Sequence, residues 1–295
     1  MTITASMVKA LRERTGAGMM ECKKALTDTG GDMEAAVEEL RKKGAARADK
    51  KSGRIAAEGA ITAALGEDGR TGVLVEVNCE TDFVAKDENF RDFADRVAAT
   101  VLDQQPEDVA ALSAMKLAGS DKTVDEARVE LFSKIGENIA VRRFARIAAQ
   151  DGQHISVYSH GSRIGVLVRS SGGRSDLGKD VAMHIAAMRP VCVSKDDVPR
   201  EQVEKEREIY MAQAADSGKP ENILEKIVQG RLQKYLNEIT LLGQPFVKDT
   251  DLSVEKLLAG EGAGVQEFVR FEVGEGIERK DDDFVAEVMA QAKGA

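Results

Sequence analysis

An α+β fold, with an N-terminal three-helix module ahead of a duplicated core of antiparallel sheets and helices, is what this sequence predicts. Three observations carry that reading. Apolar residues recur at helical spacing through residues 4–50. The run Gly72-Val-Leu-Val returns 93 residues later as Gly165-Val-Leu-Val, each copy set between a β run with its turn and an amphipathic helix. A long helical stretch, residues 199–241, then interrupts the second copy.

The elements follow in order. Thr4 caps a first helix that reaches Arg14, with Met7, Val8 and Leu11 on its apolar side. Thr15-Gly-Ala-Gly18 breaks it, and residues 19–27 start a second helix that Gly30-Gly31 ends. Asp32 caps a third, residues 33–43, with Met33, Ala36, Val37 and Leu40 at helical spacing and Gly44 closing it at the C′ position. A core this small is marginal alone, which suits a unit that docks on a partner. Met19 and Met20, near the Gly-rich turn, are either its contact residues or fillers of the three-helix core. The charged residues 50–59 then read as a connector.

Two similar segments follow. The first has strands at 60–65 and 72–77, a loop at 78–86 and a helix at 89–102; the second has strands at 154–159 and 165–170, a loop at 170–179 and a helix at 177–188. Residues 139–147 close the first copy and residues 267–273 the second. The implied unit is β-β-α-β, three antiparallel strands with helices on one face, duplicated. Each copy carries an excursion before its third strand. The first, 106–136, is helical and modest. The second is an inserted antiparallel helical hairpin: Pro199 opens a helix to residue 215, residues 216–220 turn it, and the return helix carries Leu224, Val228, Leu232, Tyr235 and Ile239 as a seam. Sequence leaves open whether that hairpin makes a homodimer, a two-plus-two complex or a second partner contact. A C-terminal helix with Phe284, Val285, Val288 and Met289 on one face follows the acidic Asp281-Asp-Asp283. The expected units are thus 1–54, 55–148, 149–193 with 241–274, the hairpin 194–240, and the tail 275–295.

Composition narrows the function. The net charge of −9 divides unevenly: residues 1–54 hold 12 basic and 8 acidic side chains (+4), leaving 30 against 43 (−13) in residues 55–295. So acidic a body argues against direct nucleic-acid binding, which rests on neutralising phosphates. No basic-then-apolar leader pattern opens the chain and no apolar run approaches membrane-spanning length. Three scattered cysteines, Cys22, Cys79 and Cys192, read as reduced thiols of a cytoplasmic protein rather than a disulfide framework or metal site.

Candidate chemistry is sparse. Gly173-Arg-Ser-Asp-Leu-Gly178-Lys179 resembles a phosphate loop, but Asp180 stands where a magnesium-binding Ser or Thr belongs, and the implied strands are antiparallel. His154, His160 and His184 lack metal-ligand spacing. Cys79 sits beside Glu80 and Asp82, which disfavours a thiolate. No catalytic group, cofactor or metal is expected. The informative stretch is residues 73–90, where an apolar strand ends in a polar loop that carries a bulky Phe83 beside Asp82. Turn chemistry explains Asn, Thr and Asp at a strand end, but it does not explain a phenylalanine. The sister loop, 170–179, has no aromatic residue. The alternative to a phosphate-loop nucleotide binder is therefore a protein that acts by binding and deforming another protein.

Five ordered stretches then give a family likeness: T-G-A-G-M-M-E-C-K-K-A-L (15–26), V-N-C-E-T-D-F-V-A-K (77–86), K-I-G-E-N-I (134–139), H-G-S-R-I-G-V-L-V (160–168) and R-F-E-V-G-E-G-I-E (270–278). Together they span the chain, which resembles bacterial elongation factor Ts. The resemblance implies a UBA-like N-terminal module and a guanine-nucleotide exchange factor that binds elongation factor Tu in its GDP-bound and nucleotide-free forms. Val8, Leu11, Met19 and Met20 would dock on the partner's G domain. Thr81, Asp82, Phe83 and Val84 would form a loop that disturbs the magnesium and phosphate site, and His160 would touch the partner's third domain. The C-terminal helix would reach the G domain again.

Overall fold

The computed structural model describes residues 2–215 and 220–278. Its N-terminal unit comprises α1 (Ala5–Thr15), α2 (Met19–Asp28) and α3 (Met33–Lys51). Thr4 and Asp32 cap α1 and α3 through their side chains, and Gly16 leaves α1 at φ 67°, a conformation that Gly adopts without a Cβ clash. Val8, Leu11, Cys22, Leu26 and Leu40 fill the space between the three helices.

The third helix does not stop at Gly44. It continues to Lys51, and Gly44 is the point where it crosses α7 (Val124–Ile135): a Cβ there would stand 2.6 Å from Ser133 Oγ. The glycine serves close packing, not termination. Ala48 joins Val129 and Phe132 in a small apolar cluster, and Arg41 pairs with Glu126. The helical unit is therefore packed on the core along the second half of α3, whose last two residues, Lys50 and Lys51, fall in the expected connector.

The core holds two three-stranded antiparallel sheets. The first orders β1 (Glu58–Leu65), β2 (Thr71–Cys79) and β3 (Ala140–Ala148); the second orders β4 (Gln153–His160), β5 (Ile164–Ser171) and β8 (Gly264–Glu272). In β2, Val73, Val75 and Val77 face α5 (Glu88–Gln104), whose Phe90, Phe93, Val97 and Val101 complete the core with α6 (Val109–Ala114) and α7. In the second half Val166 and Val168 face α8 (Leu177–Met188). The duplication extends to detail. The register shift between Glu76 and Val77 has its counterpart, 93 positions on, between Arg169 and Ser170.

The opposite faces of the two sheets pack on each other, which the expectation of helices on one face left unassigned. Ile61, Leu74 and Ile147 meet Ile155, Leu167 and Phe271. The contact is reciprocal: a Cβ on Gly72 would stand 2.7 Å from Ile155, and one on Gly165 would stand 2.6 Å from Ile61. Glu76 alternates onto this same inner face and is fully buried. Its carboxylate accepts from Arg142, Arg143, Asn78 and the Gly274 N–H. Burial opposes its ionisation, but the Gly274, Arg143 and Asn78 donors win and hold it below the usual carboxylate range.

Inserted in the second half are α9 (Arg200–Ala215) and α10 (Glu221–Ile239), packed on each other. Val228 is buried on the expected seam, and Tyr235 accepts a hydrogen bond from Gln202 at 2.8 Å. A small hairpin, β6 (Pro245–Phe246) with β7 (Asp249–Ser253), and α11 (Val254–Gly260) close the second core, features absent from the expected element list. The expected C-terminal helix with Phe284, Val285, Val288 and Met289 lies outside the described residues, as does most of the expected 216–220 turn. Among the described residues no helix is long and apolar enough to cross a membrane.

Candidate partner-binding site

The stretch after β2 is not an open loop. Thr81 caps a one-turn helix, α4 (Asp82–Ala85), by accepting the Val84 N–H at 3.4 Å, and Asp87 then caps α5 through the Asn89 and Phe90 N–H groups. Thr and Asp compete for backbone N–H groups in this way, which is why two starts fit in so few residues. The apolar pair in the middle divides. Val84 and Ala85 turn into the α5 core, whereas Phe83 points to solvent with 80% of its surface exposed. Val84, expected as a contact residue, is buried beneath the tip.

Asp82 lies beside Phe83 and is also exposed. Its Oδ2 accepts from Lys86 Nζ at 2.7 Å, and that hydrogen bond holds the carboxyl below the usual carboxylate range. The same ammonium stands 6.0 Å from the Phe83 ring centroid. The tip is thus a large apolar surface flanked by a carboxylate that carries its own counter-ion. Leaving a phenylalanine in water forgoes about 1.5–3 kcal/mol of burial, free energy that a partner surface would recover.

The other expected contacts separate by burial. Met19 and Met20 open α2 with 59% and 73% exposure, so the core-filling alternative fails. Val8 and Leu11 lie inside the three-helix core, Leu11 completely. A contact role for them is what the resemblance implied; their spacing puts them on the buried side of α1. His160 is exposed at the end of β4, with Tyr158 Oη 3.4 Å from its Nδ1. Thr81 is half-buried at the base of α4. So the structure brings Thr81, Asp82 and Phe83 together, sets Met19 and Met20 on the helical unit, and sets His160 on the second sheet.

The rival chemistry has no room. In the sister loop Asp180 accepts from Arg174 and from Lys248, each at 2.6 Å, and Gly173 packs against Leu177. A carboxylate already paired with two cations stands where magnesium would be held, and the strand belongs to an antiparallel sheet, which is not the setting of a phosphate loop. His184 is buried: the Val247 N–H donates to Nδ1 at 3.1 Å, which leaves the proton on Nε2 to donate to Gln244 at 2.9 Å. Burial lowers its pKa. It is a satisfied core residue. Burial, with Glu137 and Glu58 nearby, pushes the Cys79 thiol up to about 12, so it is no nucleophile.

Sequence likeness agrees with this geometry. The profile of the family described as Elongation factor TS matches residues 80–275, from the base of the tip to the end of the second sheet. Elongation factor Ts of Thioalkalivibrio sulfidiphilus is 63% identical over 295 residues, covering all of both chains. The chain belongs to the elongation factor Ts family. Elongation factor Ts of Alkalilimnicola ehrlichii is 60% identical over 295 residues, again covering both chains fully, and that of Methylococcus capsulatus is 61% identical over 294 residues, 99% of each. Elongation factor Ts proteins promote nucleotide exchange in translation elongation and are not enzymes. The reading of residues 73–90 as the informative stretch is compatible with that role. What sequence reasoning missed is the set of residues beneath the tip, Glu80, Glu137 and Asn138. The K-I-G-E-N-I stretch flagged the last two without giving them a task.

Proposed function

We propose that this chain binds elongation factor Tu in its GDP-bound and nucleotide-free forms and drives GDP release with the Asp82–Phe83 tip. The observation that carries the reading is the division within α4. Val84 and Ala85 are fixed in the core while Phe83, 80% exposed, stands on a rigid base. A wedge of this kind favours a partner conformation in which helices near the phosphate site have moved apart. Asp82 brings a negative charge to a region where magnesium neutralises phosphates, and so weakens the metal's hold. Nucleotide and factor are then negatively coupled through the partner. By reciprocity, the GTP that follows GDP weakens binding of the factor and lets it leave.

Such distortion needs binding free energy from elsewhere. The unit 1–54, through Met19 and Met20, supplies a contact with the G domain, and His160 a contact with the partner's third domain. The test is release of fluorescent GDP from elongation factor Tu with and without this protein. Acceleration supports the reading; an unchanged release rate leaves only a protein-binding module.

A further inference from the structure

The tip is held by a carboxylate more than fifty residues further along the chain. Glu137 lies in the turn between α7 and β3, and its Oε2 accepts the Glu80 N–H at 3.2 Å and the Thr81 N–H at 3.0 Å. Its Oε1 accepts the Thr81 hydroxyl at 2.7 Å. With that proton committed to Glu137, the hydroxyl oxygen is free to accept the Val84 N–H, the bond that starts α4. Bonds to an ionised acceptor are shorter and stronger than neutral ones, so this cap is set from outside its own segment.

The grip is returned. Glu80 Oε1 accepts the Asn138 N–H at 2.6 Å, and Asn138 Nδ2 donates to the carbonyls of Ser52 at 3.1 Å and Arg54 at 2.9 Å. Lys51 Nζ, at the end of α3, donates to the Gly136 carbonyl at 2.6 Å. The base of the tip, the turn before β3 and the end of the helical unit are therefore one hydrogen-bonded joint.

The duplication isolates the feature. Asn78 pairs with Ala140 as Ser171, 93 positions on, pairs with Gly264. Glu137 and Glu261 each stand three positions before that strand residue, so they correspond. Glu261 takes the Arg174 guanidinium at 3.3 Å, at the position corresponding to Thr81. Both halves keep a carboxylate at this place, and only the half that bears Phe83 turns it on the hydroxyl and N–H groups beneath a helix.

Resting on the exchange reading above, we infer that Glu137 is a positioning residue for nucleotide release. It sets the direction in which α4 presents Phe83, and through Glu80 and Asn138 it holds that direction relative to the helical unit. A residue that only stabilised the fold would change melting and apparent affinity. A positioning residue changes the release rate after the complex has formed.

The experiment measures release of fluorescent GDP from elongation factor Tu over a range of concentrations of the full chain, which gives a plateau rate and a half-saturating concentration. Glu137→Ala is expected to lower the plateau about 10-fold and to move half-saturation by less than about 3-fold, the scale on which small misplacements act. Because both residues act through one tip, Phe83→Ala combined with Glu137→Ala is expected to be no slower than Phe83→Ala alone. A wild-type plateau for Glu137→Ala overturns the assignment, and so does a double-variant loss equal to the product of the single losses. Should Glu137→Ala fail to melt cooperatively, Glu137→Gln carries the test. It keeps the shape and one acceptor oxygen but loses the acceptor for the Thr81 hydroxyl, so a plateau about 3-fold down is expected, and a wild-type plateau overturns the assignment. Wild-type protein without any acceleration removes the exchange reading and this assignment together; wild-type acceleration with unimpaired variants removes the assignment alone.

Discussion

Asp82 and Lys86 form an ion pair across one turn at the tip, the carboxylate oxygen 2.7 Å from the ammonium nitrogen. The charge proposed to act on a partner's metal site is therefore balanced at home, and the pair has to open on docking. Lys86→Met keeps the apolar stem and removes the cation. Because exposed pairs contribute little to stability, melting is expected to stay at the wild-type temperature. GDP release at saturating factor is expected to be at least as fast as wild type. A slowing as large as that of Phe83→Ala would mean that the ammonium itself acts on the partner.

Met19 and Met20 offer apolar surface at the start of α2. Replacing both with Ala is expected to leave melting unchanged and to raise the half-saturating concentration in GDP release about 10-fold, the size of a typical anchor loss at an interface. Lower melting with unchanged half-saturation would assign them to the fold.

The facing glycines give a stability prediction with a built-in control. Gly72→Ala and Gly165→Ala each drive a Cβ into the opposite sheet, at 2.7 Å and 2.6 Å, and each is expected to destabilise by about 1–3 kcal/mol, the usual scale of overpacking. Gly230→Ala on α10 meets nothing within 4 Å and is expected to stabilise by about 0.5–1 kcal/mol through helix propensity. Denaturant midpoints read both signs.

Glu76 makes stability depend on pH in a stated direction. Its carboxyl is held below the usual range in the folded protein. The stabilisation is therefore fully present above the unfolded-state value and lost as pH falls through the lower folded-state value. Glu76→Gln leaves two arginines without their buried carboxylate and is expected to cost about 3 kcal/mol at neutral pH. The gap between wild type and variant, read by denaturant unfolding, is expected to close as pH drops below the ordinary glutamate range. A gap that stays constant would mean that shape, not charge, is what the variant loses.

Local rules made most elements legible in the sequence. Thr4, Asp32 and Pro199 marked helix starts, and the repeated Gly-Val-Leu-Val marked β2 and β5 as corresponding strands of two copies, because capping and periodicity act within a few residues. Residues whose meaning depends on a distant neighbour were not legible. Gly44 looks like a helix stop until Ser133 is seen against it. Leu74 and Leu167 look like ordinary strand residues until the two sheets are stacked. The tip was found as an unexplained phenylalanine, but its one-turn helix was missed because α4 is too short for periodicity and its cap depends on Glu137 from another turn. Val8 and Leu11 show the local rule at its plainest: their spacing marks the face of α1 that is buried, and a contact role for them came only from the resemblance.

The most direct test of the wedge is Phe83→Ala in fluorescent-GDP release from elongation factor Tu at saturating factor, with affinity for the GDP-bound partner measured in parallel. The plateau is expected to be at least about 10-fold lower than wild type while binding weakens by less than that factor, because the contact is made chiefly in the distorted state. A wild-type plateau rate for Phe83→Ala would contradict the wedge.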